Sequence, residues 1–457
     1  MKRYFSLILC CVLVICGIFT AGCKSSTLDG KNSPENTSQE NRSGKPLRFC
    51  IDIGWGTFYA GGIEGPAESF LKLCEQAGGP EQVELEIIPS EGEERDATLQ
   101  RLRTEIMSGG GPDVFLVNSC TSYWRKDPLF PYPAQSMANR LFLPLNERMA
   151  ASRFTDWEEQ LPMLLDVGKS EGQQYLLPAA YTFPVTLCKA ENAPQMGEAL
   201  TRGEILDSGD PLLRASALDQ HGSFGGPYGY YISDLLAPLA DYSAGRLTFT
   251  EEELLSEILR SVELKKEDLA GEFDSTPGFV RTNFGVDFFA DPVSGITAQG
   301  GPLAFLPLFS EKGDIPAAVT AFAGINANTE DPEGAFFLLD YLFSRDYLTR
   351  NTPMEVTLCG WLYESFALPI DAKAGQEEFP VLSWSLSEEN FRAYSDLRDR
   401  ITTVRFCTPL DTEIDHLFVD CEMIALSDGI SESEKEEKIA AAVSETYQVL
   451  KQMVSES

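Results

Sequence analysis

Along residues 47–118 the apolar positions recur with two alternating periods, and each change of period marks an element boundary. "PLRFCIDIGWGTFYAGG" reads as a strand through Ile53 that stops at glycines. "EGPAESFLKLCEQAGG" places Phe70, Leu71 and Cys74 at helical spacing, and "VELEIIP" alternates as a second strand. "RDATLQRLRTEIMSG" sets Leu99, Leu102 and Ile106 on one helix face, and "DVFLVN" is a third strand. Strand, helix, strand, helix, strand is the order of a parallel sheet with crossover helices. In "LRTEIMSGGGPDVFLVNS", residues 102–119, the glycines end the second helix and let the chain turn tightly, and Pro112 stops further helix.

The pattern then loosens. A turn at Gly172 joins short strands around Pro178, the stretch "HGSFGGPYGYYISDLLAPLADY" is rich in Gly and Tyr, and "TEEELLSEILRSVELKKEDL" is an acidic helix. "AAVTAFAGINANTEDPEGAFFLLDYLFSRD" reads as an extended segment that turns at "NANTEDPEG" into an amphipathic helix. The C-terminal third predicts mostly helix. Its last two helices break at Asp428 and Gly429, with Ser431 as N-cap and Glu434 as capping-box partner. There is no internal repeat.

The N-terminus departs from this pattern. Lys2 and Arg3 precede an almost wholly apolar run, residues 7–19, too short for the roughly 20 residues of a membrane-spanning helix and flanked as in a secretory signal. "TAGC", ending at Cys23, resembles a bacterial lipobox, with Thr20 where a leucine is usual; cleavage would leave Cys23 to carry a lipid. Residues 1–22 are thus expected to be a lipoprotein signal peptide. Residues 23–46 are expected to be a lipid-anchored flexible tether, since "KSSTLDGKNSPENTSQENRSGKP" has one leucine, no aromatic residue and too little apolar surface to offset its conformational entropy.

Length and charge narrow the function classes. The 457 residues suggest two or three domains of about 150 each. There are 36 basic and 70 acidic residues, a net charge of -34, and removing Lys2 and Arg3 with the signal makes the mature chain more acidic still. Nucleic-acid partners are disfavoured, because affinity for phosphate backbones comes from Lys and Arg. After Cys23 the chain keeps seven widely spaced cysteines and no CxxC pair, which disfavours a disulfide framework or zinc site.

Catalytic motifs do not assemble. His221 and His416 are the only histidines, and neither lies in HExxH or beside a CxxC. "GKS" at residues 168–170 lacks the earlier glycine of a P-loop, since Met163 stands there. Gly54 and Gly56 lack the third glycine of a dinucleotide fingerprint, where Tyr59 stands, and "HGSFGG" does not place Ser223 in a nucleophile elbow. Among 70 carboxylates, spacing alone nominates no glycosidase pair. No catalytic residue, cofactor or metal is expected.

The motifs that do assemble resemble a family. The helix and strand around "SGGGPDVFLV" are similar to a segment of extracellular solute-binding proteins, the receptors of bacterial ABC importers, and especially of their large carbohydrate-binding group. Four more features follow in that family's order: the lipobox; the GxxYxxP turn of Gly172, Tyr175 and Pro178; the "GINANTEDPEGAFFLLDYL" segment; and the C-terminal helix pair around Gly429. The chain departs from the family at "LCKAEN" after the proline turn and over residues 194–222.

The resemblance implies an α/β, two-lobed fold of the type II periplasmic-binding-protein kind, its two α/β domains joined by a hinge. The N-terminal lobe would be residues 47–180 and 322–366, and the C-terminal lobe residues 181–321 and 367–457. It implies a monomer that captures a small solute, a sugar or oligosaccharide, hands it to ABC permease subunits, and holds to the membrane through its lipid. A polyol phosphate, peptide or polyamine would suit the same class of receptor. A carboxylate-dependent surface glycosidase, or a sensor or adhesin of the same fold, would be the alternative.

By the family's positions, and because open α/β sheets bind ligands at strand carboxyl ends, the implied ligand-binding residues are Trp55, Thr57, Asn118, Ser119, Tyr123, Tyr181, Thr182, Tyr228, Tyr230, Gly300 and Gly301, with Trp361 and Trp384 behind them. Aromatic faces pack on sugar C–H faces, and amides and hydroxyls bond sugar hydroxyls. Asp113, following Pro112, reads as structural, capping the turn into its strand.

Overall fold

The computed structural model describes residues 45–53, 62–119, 127–193, 201–207, 231–269, 280–283, 301–307, 309–310, 312–350, 357–363, 368–380 and 386–457. The first five elements follow the expected order: β1 (Leu47–Asp52), α1 (Glu64–Gln76), β2 (Val83–Ile87), α2 (Gly92–Met107) and β3 (Val114–Asn118). β1 pairs in parallel with both β2 and β3. On α2 the buried residues are Arg95, Leu99, Leu102 and Ile106, one face at helical spacing.

Residues 114–117 of β3 are all apolar because both of its faces are covered. Val114 and Leu116 join the core that includes Phe49 and Ile51, whereas Phe115 and Val117 join a second core, with Cys50, on the other face.

The chain then passes through α3 (Pro133–Ala138), α4 (Asn146–Ala150), α5 (Pro162–Val167) and the short hairpin β4 (Lys169–Ser170) and β5 (Gln173–Gln174). β6 (Leu176–Thr182) runs almost directly into β7 (Pro184–Lys189). After α6 (Arg202–Asp207), α7 (Tyr231–Leu236), the hairpin β8 (Ala240–Asp241) and β9 (Arg246–Leu247), and α8 (Glu251–Leu269), come β10 (Val280–Asn283), β11 (Leu303–Pro307) and β12 (Pro316–Ile325).

β7 pairs antiparallel with β10 and β11, and β6 pairs antiparallel with β12. One ribbon, β6 to β7 against β11 to β12, therefore links the three-stranded sheet β10-β7-β11 to the six-stranded sheet of order β13-β12-β3-β1-β2, to which β6 attaches through β12.

The remaining elements are α9 (Pro332–Leu342), α10 (Arg345–Leu348), α11 (Leu358–Tyr363), α12 (Glu388–Arg398), β13 (Thr403–Phe406), α13 (Pro409–Leu426) and α14 (Glu432–Glu456). α7, α8, α13 and α14 bury Ile232, Leu254, Ile258, Ile414, Leu417, Val443 and Leu450 in a core of their own. The break between α13 and α14 falls at Asp428 and Gly429 as expected, and Ser431 caps α14 by accepting from the Glu434 N–H at 3.3 Å. β13 adds a strand to a region expected to be mostly helix. It pairs in parallel with β12, Thr403 opposite Pro316. Among the described residues no helix is long and apolar enough to cross a membrane.

The glycines before β3 are scaffold. The Gly109 N–H bonds the Ile106 carbonyl and the Gly110 N–H bonds the Glu105 carbonyl, closing α2 with Gly109 at φ +82°. Asp113 then accepts from the Arg48 N–H at 2.9 Å and the Thr329 hydroxyl at 2.7 Å. Asn326 donates through Nδ2 to the Gly110 and Pro112 carbonyls at 2.8 and 2.9 Å. The two motifs "GGGPD" and "NANT" thus lock to each other across the sheet.

Two outcomes follow from this packing. Asn326→Ala strands two carbonyls and is expected to cost about 1–3 kcal/mol in urea unfolding; an unchanged midpoint would show that water replaces the amide. On α13, burial pushes the Asp415 carboxyl up to about 6 from an ordinary 3.8, with His416 opposing the rise and Asp411 adding to it. A carboxyl with a raised folded pKa holds its proton more tightly when folded, so its contribution to stability is complete below about pH 3.8 and is lost as pH rises through 6. Asp415→Asn should therefore raise stability at pH 7 by on the order of 1–3 kcal/mol and leave it unchanged at pH 3.5; an equal gain at both pH values in thermal melts would refute this.

Candidate functional site

β1 and β3 lie side by side with Asp52 opposite Val117, so their carboxyl ends open on the same edge of the sheet. Asp52 and Ile53 end one strand, and Asn118 and Ser119 end the other. Arg95, 5% exposed on α2, reaches this edge. Its Nη1 donates to Asp52 Oδ1 and the Pro89 carbonyl, both at 2.9 Å, and its Nη2 donates to Asp52 Oδ2 at 2.8 Å and the Asp127 carbonyl at 3.0 Å. Asp52 stands just ahead of residues 54–61, and Asp127 just after residues 120–126. One guanidinium therefore ties the carboxyl end of β1 to the chain at Pro89 and at Asp127. The sequence reading passed over Arg95. Its only signal there is an arginine at a core position of an amphipathic helix.

Of the residues implied to bind ligand, Trp55, Thr57, Tyr123, Tyr228, Tyr230 and Gly300 lie outside the described residues, as does Trp384, while Trp361 stands in α11. Four others come together along β12. Asn118 is opposite Ala321, and the Ser119 N–H donates to the Thr320 carbonyl at 3.0 Å. Along the other edge Tyr181 is opposite Val319 and Thr182 opposite Ala318. Gly301, exposed with φ +103°, is remote from them. It precedes Leu303, which pairs with Lys189, seven residues beyond Thr182, so it lies more than about 20 Å along the ribbon from Thr182 at ~3.3 Å per residue.

Three of these four are enclosed in this structure. Tyr181 has no exposed surface, its ring stacks on Phe183 at 6.2 Å, and its hydroxyl lies 3.0 Å from the Tyr394 hydroxyl. Burial pushes both phenols up. Its backbone bonds Leu368 in both directions, at 3.0 and 2.8 Å, so β6, β12 and the segment at Leu368 converge on Tyr181. In this structure its ring has no face to offer a sugar. Thr182 is likewise enclosed, and the Ser119 hydroxyl donates to the Val319 carbonyl. Asn118 is different: it is 7% exposed, and no side-chain hydrogen bond among the described residues holds its amide.

A cavity of about 180 Å³ opens beside β13, lined by Tyr132, Pro133, Tyr242, Val404, Phe406 and Thr408 among others. The Tyr132 and Tyr242 rings meet at 5.7 Å with their planes tilted by 59°. Against it lies a buried ion triad, in which Arg405 bonds Asp234 of α7 at 2.7 Å and also bonds Asp411 of α13. Burial pushes Asp234 up to about 6, and Asp411 adds to the rise while Arg405 opposes it. No group of three or more His, Cys, Asp or Glu side chains gathers as metal ligands among the described residues.

Arg95→Met leaves Asp52 charged and buried, and is expected to cost about 3–5 kcal/mol, read as a lower urea midpoint at constant m-value. Arg95→Lys keeps the charge but not the paired fork, and should fall between the two. A loss under about 1 kcal/mol for Arg95→Met would place this pair with solvent-screened surface bridges.

No family model and no curated protein matches the chain. Solved structures do. An extracellular solute-binding protein family 1 from Alicyclobacillus acidocaldarius aligns at 14% identity and a TM-score of 0.53, covering 90% of this chain and 99% of its own. The sugar-binding protein MalE from Xanthomonas citri aligns at 13% and 0.52, covering 90% and 100%. A cyclic alpha-maltosyl-1,6-maltose binding protein from Arthrobacter globiformis aligns at 16% and 0.51, with the same coverage. At such identities the likeness speaks for the fold and not for the ligand. The chain has the two-lobed α/β fold of the extracellular solute-binding proteins.

Proposed function

We propose that this chain is a lipid-anchored extracellular receptor that captures a carbohydrate between two lobes and delivers it to an ABC importer. The observation that carries this reading is the convergence at Tyr181. Three separate chain segments, at residues 181, 319 and 368, run side by side there, next to the ribbon that links the two sheets. A joint made of several parallel crossings lets two bodies swing while keeping their axis fixed, which is what hinge closure on a ligand requires. The lobes on this reading are residues 47–180 with 322–366, and 181–321 with 367–457. The MalE of Xanthomonas citri and the Arthrobacter protein, described as binding sugars, support the choice of ligand class. The "TAGC" sequence at Cys23 supports the anchor.

Such a receptor works by differential affinity. The ligand touches both lobes only in the closed form, so binding shifts the population toward that form, and the importer reads the closed form. No covalent step is involved.

The test is a thermal-shift screen of the mature chain against mono- and oligosaccharides, peptides and polyamines. A ligand at 100 times its dissociation constant should add about 2.7 kcal/mol to stability, and a neutral oligosaccharide is the expected hit. Trp55→Ala should abolish most of that shift. If no solute moves the melting point while a glycan is cleaved, the receptor reading is wrong.

A further inference from the structure

β12 shifts register against β6 at two adjacent places that cancel, one at Thr320 of β12 and the other at Ala179 of β6. Val319 faces Tyr181 and Ala321 faces Ala180, which leaves Thr320 as the extra residue of a bulge. Bulges re-aim a side chain and recur beside binding sites. Thr320 is 1% exposed, and its hydroxyl has no hydrogen-bond partner. A buried hydroxyl without a partner is costly unless water or a ligand serves it. Two more such atoms belong to the same junction. Ser233 Oγ lies on α7, which packs against β12, and Arg405 Nε lies on β13, where Arg405 is opposite Ala318. The loosely held Asn118 amide sits one register step from Thr320, opposite Ala321.

We propose that Thr320 is the centre of a deep hydroxyl-binding subsite, completed by the Asn118 amide, that holds water when empty and a hydroxyl of a neutral carbohydrate when filled. This rests on the receptor reading above and adds a specificity-determining residue to it. Charge selects the ligand class. Among the described residues the cation at this junction, Arg405, is already matched by two carboxylates, Asp234 and Asp411, so it is not open to a phosphate or carboxylate and the junction suits an uncharged hydroxyl. A polar pocket with several unserved partners is also the setting in which a buried water is retained.

The test has two arms. In a high-resolution crystal structure of the ligand-free protein, an ordered water should bond Thr320 Oγ1, and it should be missing from Thr320→Val; a dry hydroxyl, or one bonded to protein, overturns the subsite. In the second arm the probe is maltotriose, or the screened oligosaccharide that most raises the wild-type melting point. Thr320→Val should bind it at least tenfold more weakly by calorimetry, and Thr320→Ser within threefold of wild type. Equal affinity for wild type and Thr320→Val overturns the proposal even if the water is present. If the wild type binds no carbohydrate at all, the receptor reading is what fails, and the crystallographic arm still decides whether Thr320 is served by water.

Discussion

The pairing of β12 along both of its edges is the constraint on which the rest of the structure depends. All ten of its residues are buried. β3 takes one edge over residues 321–325 and β13 continues that edge over residues 316–319, while β6 runs along the other. A strand paired on both edges and covered on both faces cannot slip, because a shift of one residue would turn every side chain to the opposite face. The irregularities at Thr320 of β12 and Ala179 of β6 offset each other, so the register against β6 is the same before and after them. The end of the strand is pinned by Asn326 and Thr329, which bond the turn and the aspartate that open β3. From this one strand the first sheet, the crossing ribbon and the helical body all take their positions.

Buried guanidinium groups serve as the second level of this construction. Arg95 joins α2 to the end of β1 and to the chain at Asp127, and Arg405 joins β13 to α7 and α13. Each bonds groups that are far apart in sequence, which apolar contacts can do with less geometric specificity. Where hydrophobic packing says only that two elements touch, a forked donor on a carboxylate fixes the angle at which they do so.

Much of the N-terminal region was legible because its signals are local. The period change from alternation to helical spacing, the glycine-proline stop after α2 and the uninterrupted apolar run of β3 each act within a few residues. The "NANT" segment was legible as a turn, but its partnership with Gly110 and Asp113 was not, since more than two hundred residues separate them and only the fold brings them together. β13 was missed for a similar reason: four residues between two helices carry too short a pattern to reveal a strand whose partner is remote. Tyr181 was assigned to the ligand from its place after a proline turn. An aromatic residue there serves equally well as core, and its enclosure by Phe183 and Tyr394 depends on side chains from another part of the chain. Asn118 keeps its assigned place at a strand end with an amide that no described residue holds.

The charge balance links these features to the ligand. With 36 basic against 70 acidic residues, a cation is the scarce partner in this protein. The most deeply buried arginines are matched by carboxylates or main-chain carbonyls: Arg95 by Asp52, Arg398 by Asp399 and the Ala372 carbonyl, and Arg405 by two aspartates. On the proposed reading, an anion that drew on these described arginines would displace an existing ion pair and leave a buried carboxylate behind, at a cost of several kcal/mol on the order of that for breaking any buried pair. A neutral polyol displaces nothing but water. Its hydroxyls can both donate and accept, so they can serve an amide and a threonine hydroxyl without disturbing the ion pairs that hold the elements in place. On the proposed reading, the network that stabilises the fold also restricts the ligand, because the same arginines cannot be used twice.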